Sequence, residues 1–185
     1  CDVNKIRLLE KNNNSVSFKD KYILTFHDKD MNSIYRVYQR QGFDFYGKFP
    51  IDQVKGASDL KFIERFENTA GIGVTKKELE NVLNNKGFKN YNLIQGNVFD
   101  TLEEYLLKKP ELRLSLLHLD MDVAEPTEYV LNTLYGRLVS GGLIVIDDYN
   151  DVEGATKVID DFTQKNNLTL ETLSFYGKPV FIKKP

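Results

Sequence analysis

One cysteine and no tryptophan occur among the 185 residues, and the first scarcity removes whole classes of protein. A lone Cys1 allows neither a disulfide within the chain nor a cysteine-based zinc cluster. Charge of one sign is also missing: Lys+Arg 25 against Asp+Glu 27 gives a formal net charge of -2. That balance makes no electrostatic case for nucleic acid or an anionic membrane as partner. The longest apolar runs are strand-sized, too short to span a bilayer. The opening "CDVNKIRLLEKNNN" is polar and charged where a signal peptide would be apolar, so a reducing cytoplasm is the expected setting. There is no internal repeat and no long low-complexity tract.

What is present suits one domain with a sizeable core, at 41% hydrophobic and 12% aromatic residues. Residues 1–41 read as a helical lead-in to a domain over 42–185. From Val74 the pattern is regular. "TKKELENVLNNKGF" predicts a helix, with Thr75 and Glu78 as a capping box and Gly87 as its stop. "YNLIQGN" predicts a strand, and "TLEEYLLKK" a helix ended by Pro110. "LRLSLLHLDMD" predicts a strand with a buried run from Leu116 to Leu119, and "PTEYVLNTLYGRL" a helix with Pro126 in its first turn. "GGLIVIDDYN" predicts a strand buried on both faces, "GATKVIDDFTQKN" a helix, and "LETLSF" with "PVFIKK" a closing hairpin. Strand and helix in alternation mean a parallel sheet with helices on both faces, where ligands bind beyond the carboxyl ends of the strands.

Two strands end in acid at that edge. "LHLDMD" delivers Asp120 and Asp122, and "IVIDDY" delivers Asp147 and Asp148. Two apart, Asp120 and Asp122 would point to one face of an extended chain. Carboxylates crowded together repel and raise one another's pKa unless a cation neutralises them. Oxygen ligands without histidine or cysteine select Mg²⁺, or Ca²⁺ or Mn²⁺. Asp151, Glu153, Glu125 and Glu128 lie where helix first turns begin and read as dipole and capping acids. His118, just before Asp120, reads as a buried, satisfied imidazole.

With "GFDFYGKFP" (42–50), "GVTKKELENVLNNKGF" and "LIQGNVFDTL" upstream, "LLHLDMDVAEPTEYVLNTLYGRLVSGGLIVIDDYNDVEGATKVIDDF" resembles the macrocin O-methyltransferase family over roughly residues 42–170. The resemblance implies a three-layer α/β sandwich, the Rossmann-like class I methyltransferase fold, with a mostly parallel sheet and a C-terminal antiparallel strand. It implies S-adenosylmethionine as cofactor, Mg²⁺ as metal and a sugar or glycoside hydroxyl as acceptor. Carried over, Asp120, Asp147 and Asp148 are the metal ligands, and Asp122 is the general base or a further ligand. Gly42, Asp44 and Phe45 would line the cofactor, with Asp44 on the ribose hydroxyls, and Gly96, Asn97 and Val98 would hold the adenine. The partner is then a small molecule, and a homo-oligomer is compatible with this.

Two departures and three rivals accompany it. The family's Gly-rich turn after a first strand has no counterpart in residues 1–41, so a stretch omitted next to Gln41–Gly42 is expected, since losing a central strand would bare its neighbours' edges. "VAEPT" stands where the family has a Tyr-Glu-Ser-Thr run, which leaves the acceptor pocket open. "GIGVT" (71–75) follows no buried strand and is not a dinucleotide fingerprint. "DLKFIERFENTA" (59–70) reads equally as a lid over the acceptor or a helix packed on the core. The rivals are a metal-dependent catechol or phenol O-methyltransferase, a non-catalytic binding module, and an unrelated Mg²⁺-dependent α/β phosphotransferase.

Overall fold

Local signals set most of the elements in the computed structural model, which describes residues 40–71, 73–173 and 176–185. In chain order these are β1 (Arg40–Asp44), α1 (Ala57–Ala70), α2 (Lys76–Asn85), β2 (Tyr91–Gln95), α3 (Val98–Lys108) and β3 (Leu114–Leu119). Then follow α4 (Ala124–Leu134), β4 (Leu138–Ile146), α5 (Glu153–Asn166), β5 (Leu170–Leu173) and β6 (Tyr176–Lys183). The capping box forms as predicted: the Thr75 hydroxyl accepts the Glu78 N–H, and Glu78 accepts the Thr75 N–H at 2.9 Å. Asn97 opens α3 by accepting the Phe99 N–H at 3.1 Å. The expected lead-in over 1–41 lies outside the described residues, save that Arg40 and Gln41 already belong to β1. Among the described residues no helix is long and apolar enough to cross a membrane.

The strands form two sheets. β1 and β2 pair in parallel, Arg40 opposite Tyr91 through Asp44 opposite Gln95. The second sheet has the order β3-β4-β6-β5, with β3–β4 parallel and β6 antiparallel to both of its neighbours. Among the described residues no strand joins β1 to β3. The two fragments are linked through the core instead: Phe43 of β1 packs against it and meets Tyr105 of α3 edge to face at 5.5 Å.

That core gathers Val98 and Leu102 of α3, Val130, Leu131 and Leu134 of α4, and Ile159 and Phe162 of α5. They pack on Leu119, Ile144, Ile146, Val180 and Ile182 of the sheet. Burial of this much aliphatic surface is the main force holding the layers together. Two sequence expectations need correction. On β3 only Leu119 is buried; Leu116 is 42% exposed and His118 is exposed, so His118 is not a core imidazole. The reason is one-sided cover: among the described residues β3 pairs with β4 alone, and nothing closes the face carrying positions 116 and 118. β4 is likewise sealed on one face by Ile144 and Ile146, while Leu143 and Val145 stay half-buried.

A smaller cluster sits under α1, where Ile63 and Val54 pack on Val123, the residue that opens α4. α1 is therefore a helix packed on the domain. The first turns of α4 and α5 also differ from the expected local capping. Their N-cap positions are Val123 and Val152, which have no side-chain acceptor. Glu125 instead accepts the Lys55 N–H at 2.7 Å.

Candidate active site

The paired strands bring the acids together at their carboxyl ends. Pairing of β3 with β4 continues one step beyond the strands, since the Asp147 N–H donates to the Leu119 carbonyl at 3.1 Å. β3 ends at Leu119, so Asp120 and Asp122 do not share a face by strand alternation. A turn does the work. The Val123 N–H donates to the Met121 carbonyl at 2.6 Å, closing a three-residue turn around Asp122, whose φ is +61°. A γ-turn with positive φ is the rare, strained form, and such strain gathers at functional positions. The Asp122 N–H donates to Asp148 Oδ2 at 3.1 Å, which ties the turn to the tip of β4.

Asp120, Asp122 and Asp148 each place a carboxylate oxygen within 4.8 Å of the others. Asp147 is exposed and falls outside this trio, though its charge still acts on all three. Burial pushes Asp122 up to about 7, with help from the charges of Asp148, Asp120 and Asp147. Asp148 is also raised, by burial and by Asp120 and Asp147, against the lowering effect of the Asp122 N–H. Asp120, exposed like Asp147, is raised by the partial burial of its carboxylate, then by Asp147 and more weakly by Asp44, while His118 opposes. Every side-chain charge raising these groups is another acid. An all-oxygen donor set under mutual repulsion fits a hard divalent cation, so the residues present suit Mg²⁺.

The second group lies at the tips of β1 and β2. Asp44 is exposed at the end of β1, and its Oδ1 accepts the Tyr46 N–H at 2.8 Å. Its carbonyl accepts the Gly96 N–H at 3.0 Å, so Asp44 and the Gly96–Asn97–Val98 turn are adjacent. The Phe45 carbonyl accepts from the Gln95 side chain at 3.2 Å. Gly42 sits earlier on β1, against Leu93. Gly96 has φ +136°, and a Cβ there would lie 2.9 Å from Thr101 Cγ2, so no other residue fits without strain. The structure thus brings Asp44, Phe45, Gly96, Asn97 and Val98 together at one pair of strand ends, with Asp44 within electrostatic reach of Asp120.

One acid escaped sequence reasoning. Asp59, on α1, is fully buried; its Oδ2 accepts the Ala124 N–H at 2.9 Å and its Oδ1 the Gly154 N–H at 3.1 Å. Its signal in the sequence is only an acid in the first turn of a helix, a common surface feature.

Residues 31–184 match the Macrocin-O-methyltransferase (TylF) family. Among solved structures, the O-methyltransferase NovP is similar at TM-score 0.67 and 22% identity, covering 81% of this chain and 61% of NovP. CalS11, a TDP-rhamnose 3'-O-methyltransferase of calicheamicin biosynthesis, is similar at TM-score 0.53 and 20% identity, covering 80% of this chain and 60% of CalS11. The chain therefore spans about 60% of the length of these two proteins. No curated protein sequence matches it.

Proposed function

The chain belongs to the macrocin O-methyltransferase family and has its Rossmann-like class I methyltransferase fold, and on that premise we propose a metal-dependent O-methyltransferase. It would move the methyl group of S-adenosylmethionine to a hydroxyl of a sugar or glycosylated small molecule, in the cytoplasm. The sugar acceptor is supported by the family match and by the activity named for CalS11. The observation that carries the chemistry is the meeting of Asp120, Asp122 and Asp148 at the tips of β3 and β4.

Asp120, Asp147 and Asp148 would hold Mg²⁺, with Asp147 joining from its exposed position beside the trio. Gly42, Asp44, Phe45, Gly96, Asn97 and Val98 would hold S-adenosylmethionine, Asp44 accepting hydrogen bonds from the two ribose hydroxyls. When bound, the cofactor supplies the electrophilic methyl group and the metal supplies Lewis acidity to the acceptor hydroxyl. Asp122 would take the proton of the acceptor hydroxyl as that oxygen replaces the sulfur on the methyl carbon. In the metal-free chain burial and the neighbouring acids push this carboxyl up to about 7, and a bound cation would bring it back down by neutralising those acids. The turn around Asp122 and its N–H on Asp148 keep the base beside the ligands.

The test is methyl transfer from labelled S-adenosylmethionine to a panel of nucleotide sugars, glycosides and phenols, with Mg²⁺ or with chelator. Transfer to a sugar hydroxyl that stops with chelator and returns with Mg²⁺ is the expected result. Asp122→Asn should lower kcat by roughly 10²–10⁴-fold, the usual worth of a general base, while Mn²⁺ still binds. Loss of Mn²⁺ binding in that variant would make Asp122 a ligand instead. Transfer only to phenols would move the acceptor class, and no calorimetric heat with S-adenosylmethionine or S-adenosylhomocysteine would leave a binding module.

A further inference from the structure

Three helix N-termini meet one carboxylate. Asp59 lies in the first turn of α1, and its oxygens accept Ala124 N–H of α4 and Gly154 N–H of α5. Both receiving helices begin at valines that cannot cap themselves, so Asp59 supplies from outside the acceptor each of them lacks. The positive ends of these helices also make the site favourable for a buried anion. The fit is close: a Cβ on Gly154 would fall 2.1 Å from Asp59 Oδ2 and 2.4 Å from Oδ1.

The two bonds fall beside the two acid-bearing loops. Ala124 follows Asp122 by two positions, and Gly154 follows Asp148 by six. Between Asp122 and Ala124 lies Val123, which is 3% exposed and packed on Ile63 of the same helix α1. The β3–α4 loop and the β4–α5 loop are thus held to a common point distant in sequence from both. Asp122 N–H on Asp148 ties the two loops directly and joins two members of the trio themselves.

We infer that Asp59 is a positioning residue that sets the distance between the Asp120–Asp122 loop and the Asp148 loop, and so tunes their affinity for a divalent cation. This rests on the metal reading above. Asp59 is not one of the three clustered acids. It acts by fixing where α4 and α5 begin. Outer residues that orient metal ligands commonly change affinity by roughly 10–100-fold when altered.

Mn²⁺ binding by the full chain, followed by electron paramagnetic resonance and calorimetry, tests this alongside thermal unfolding. Asp59→Asn keeps the shape but turns one acceptor into a donor facing an N–H. Gly154→Ala breaks the same contact from the other side by forcing the carboxylate and α5 apart while the chain keeps its Asp59, so it carries the test where Asp59→Asn does not fold. Ile182→Ala, in the core on β6, is the control matched for loss of Tm. We expect both clamp variants to weaken Mn²⁺ binding about tenfold or more, and the control to stay within about twofold. Clamp variants that bind like Ile182→Ala at equal loss of Tm would overturn the inference and leave the metal reading standing. No saturable Mn²⁺ binding by the unaltered chain would overturn both.

Discussion

Asp122 holds a proton that the unfolded chain would release in mild acid. Its carboxyl is raised from 3.8 to about 7, and Asp120 and Asp148 are raised with it. Between those two values the folded state binds more protons than the unfolded one, so stability falls as pH rises. The contribution is complete below about pH 4 and gone once pH passes the folded value near 7. Urea midpoints in chelator should therefore decline from pH 5 to pH 8, and Asp122→Asn should flatten the decline. Mg²⁺ should raise the midpoint more at pH 8 than at pH 5, because metal and protons compete for the same oxygens. At the cofactor end, Gly96→Ala meets both a positive φ and Thr101, and should cost more than about 1 kcal/mol by denaturant unfolding.

Among the elements, what could be read in the sequence is what depends on near neighbours. Thr75 and Glu78 are three apart, so the capping box of α2 is plain from the residues alone. Thr75→Ala should cost about 1 kcal/mol, measured by chemical unfolding. The meeting of the acids was also readable, because two apolar runs both end in aspartate and parallel neighbours bring their ends together. The manner of the meeting was not. Asp122 reaches the trio through a strained turn that no residue type announces, and an extended chain would have been the simpler expectation. The capping of α4 and α5 lay further out of reach: acids stood near both starts, yet the acceptor comes from Asp59, 65 residues before Ala124 and 95 before Gly154. Pairings of that span leave no local pattern.

For the whole molecule, the missing motif led to the expectation of an omitted stretch next to Gln41–Gly42, whereas the sheet in two pieces is seen only from the strand pairing. No Gly-rich turn precedes "GFDFYGKFP", and among the described residues no strand stands between β1 and β3. β1 runs unbroken through Gln41 and Gly42. The exposed Leu116 and His118 follow from the same arrangement.

A row of peptide groups along the flank of β3 turned away from β4 has no ladder among the described residues. With that flank open, hydrogen–deuterium exchange should find alternate positions of Leu114–Leu119 trading protons far faster than their neighbours. The same row is a template for any extended polypeptide that drifts past, including another copy of this chain. Sedimentation at rising concentration should accordingly reveal association, and a grafted strand ahead of Arg40 should both abolish it and slow the exchange.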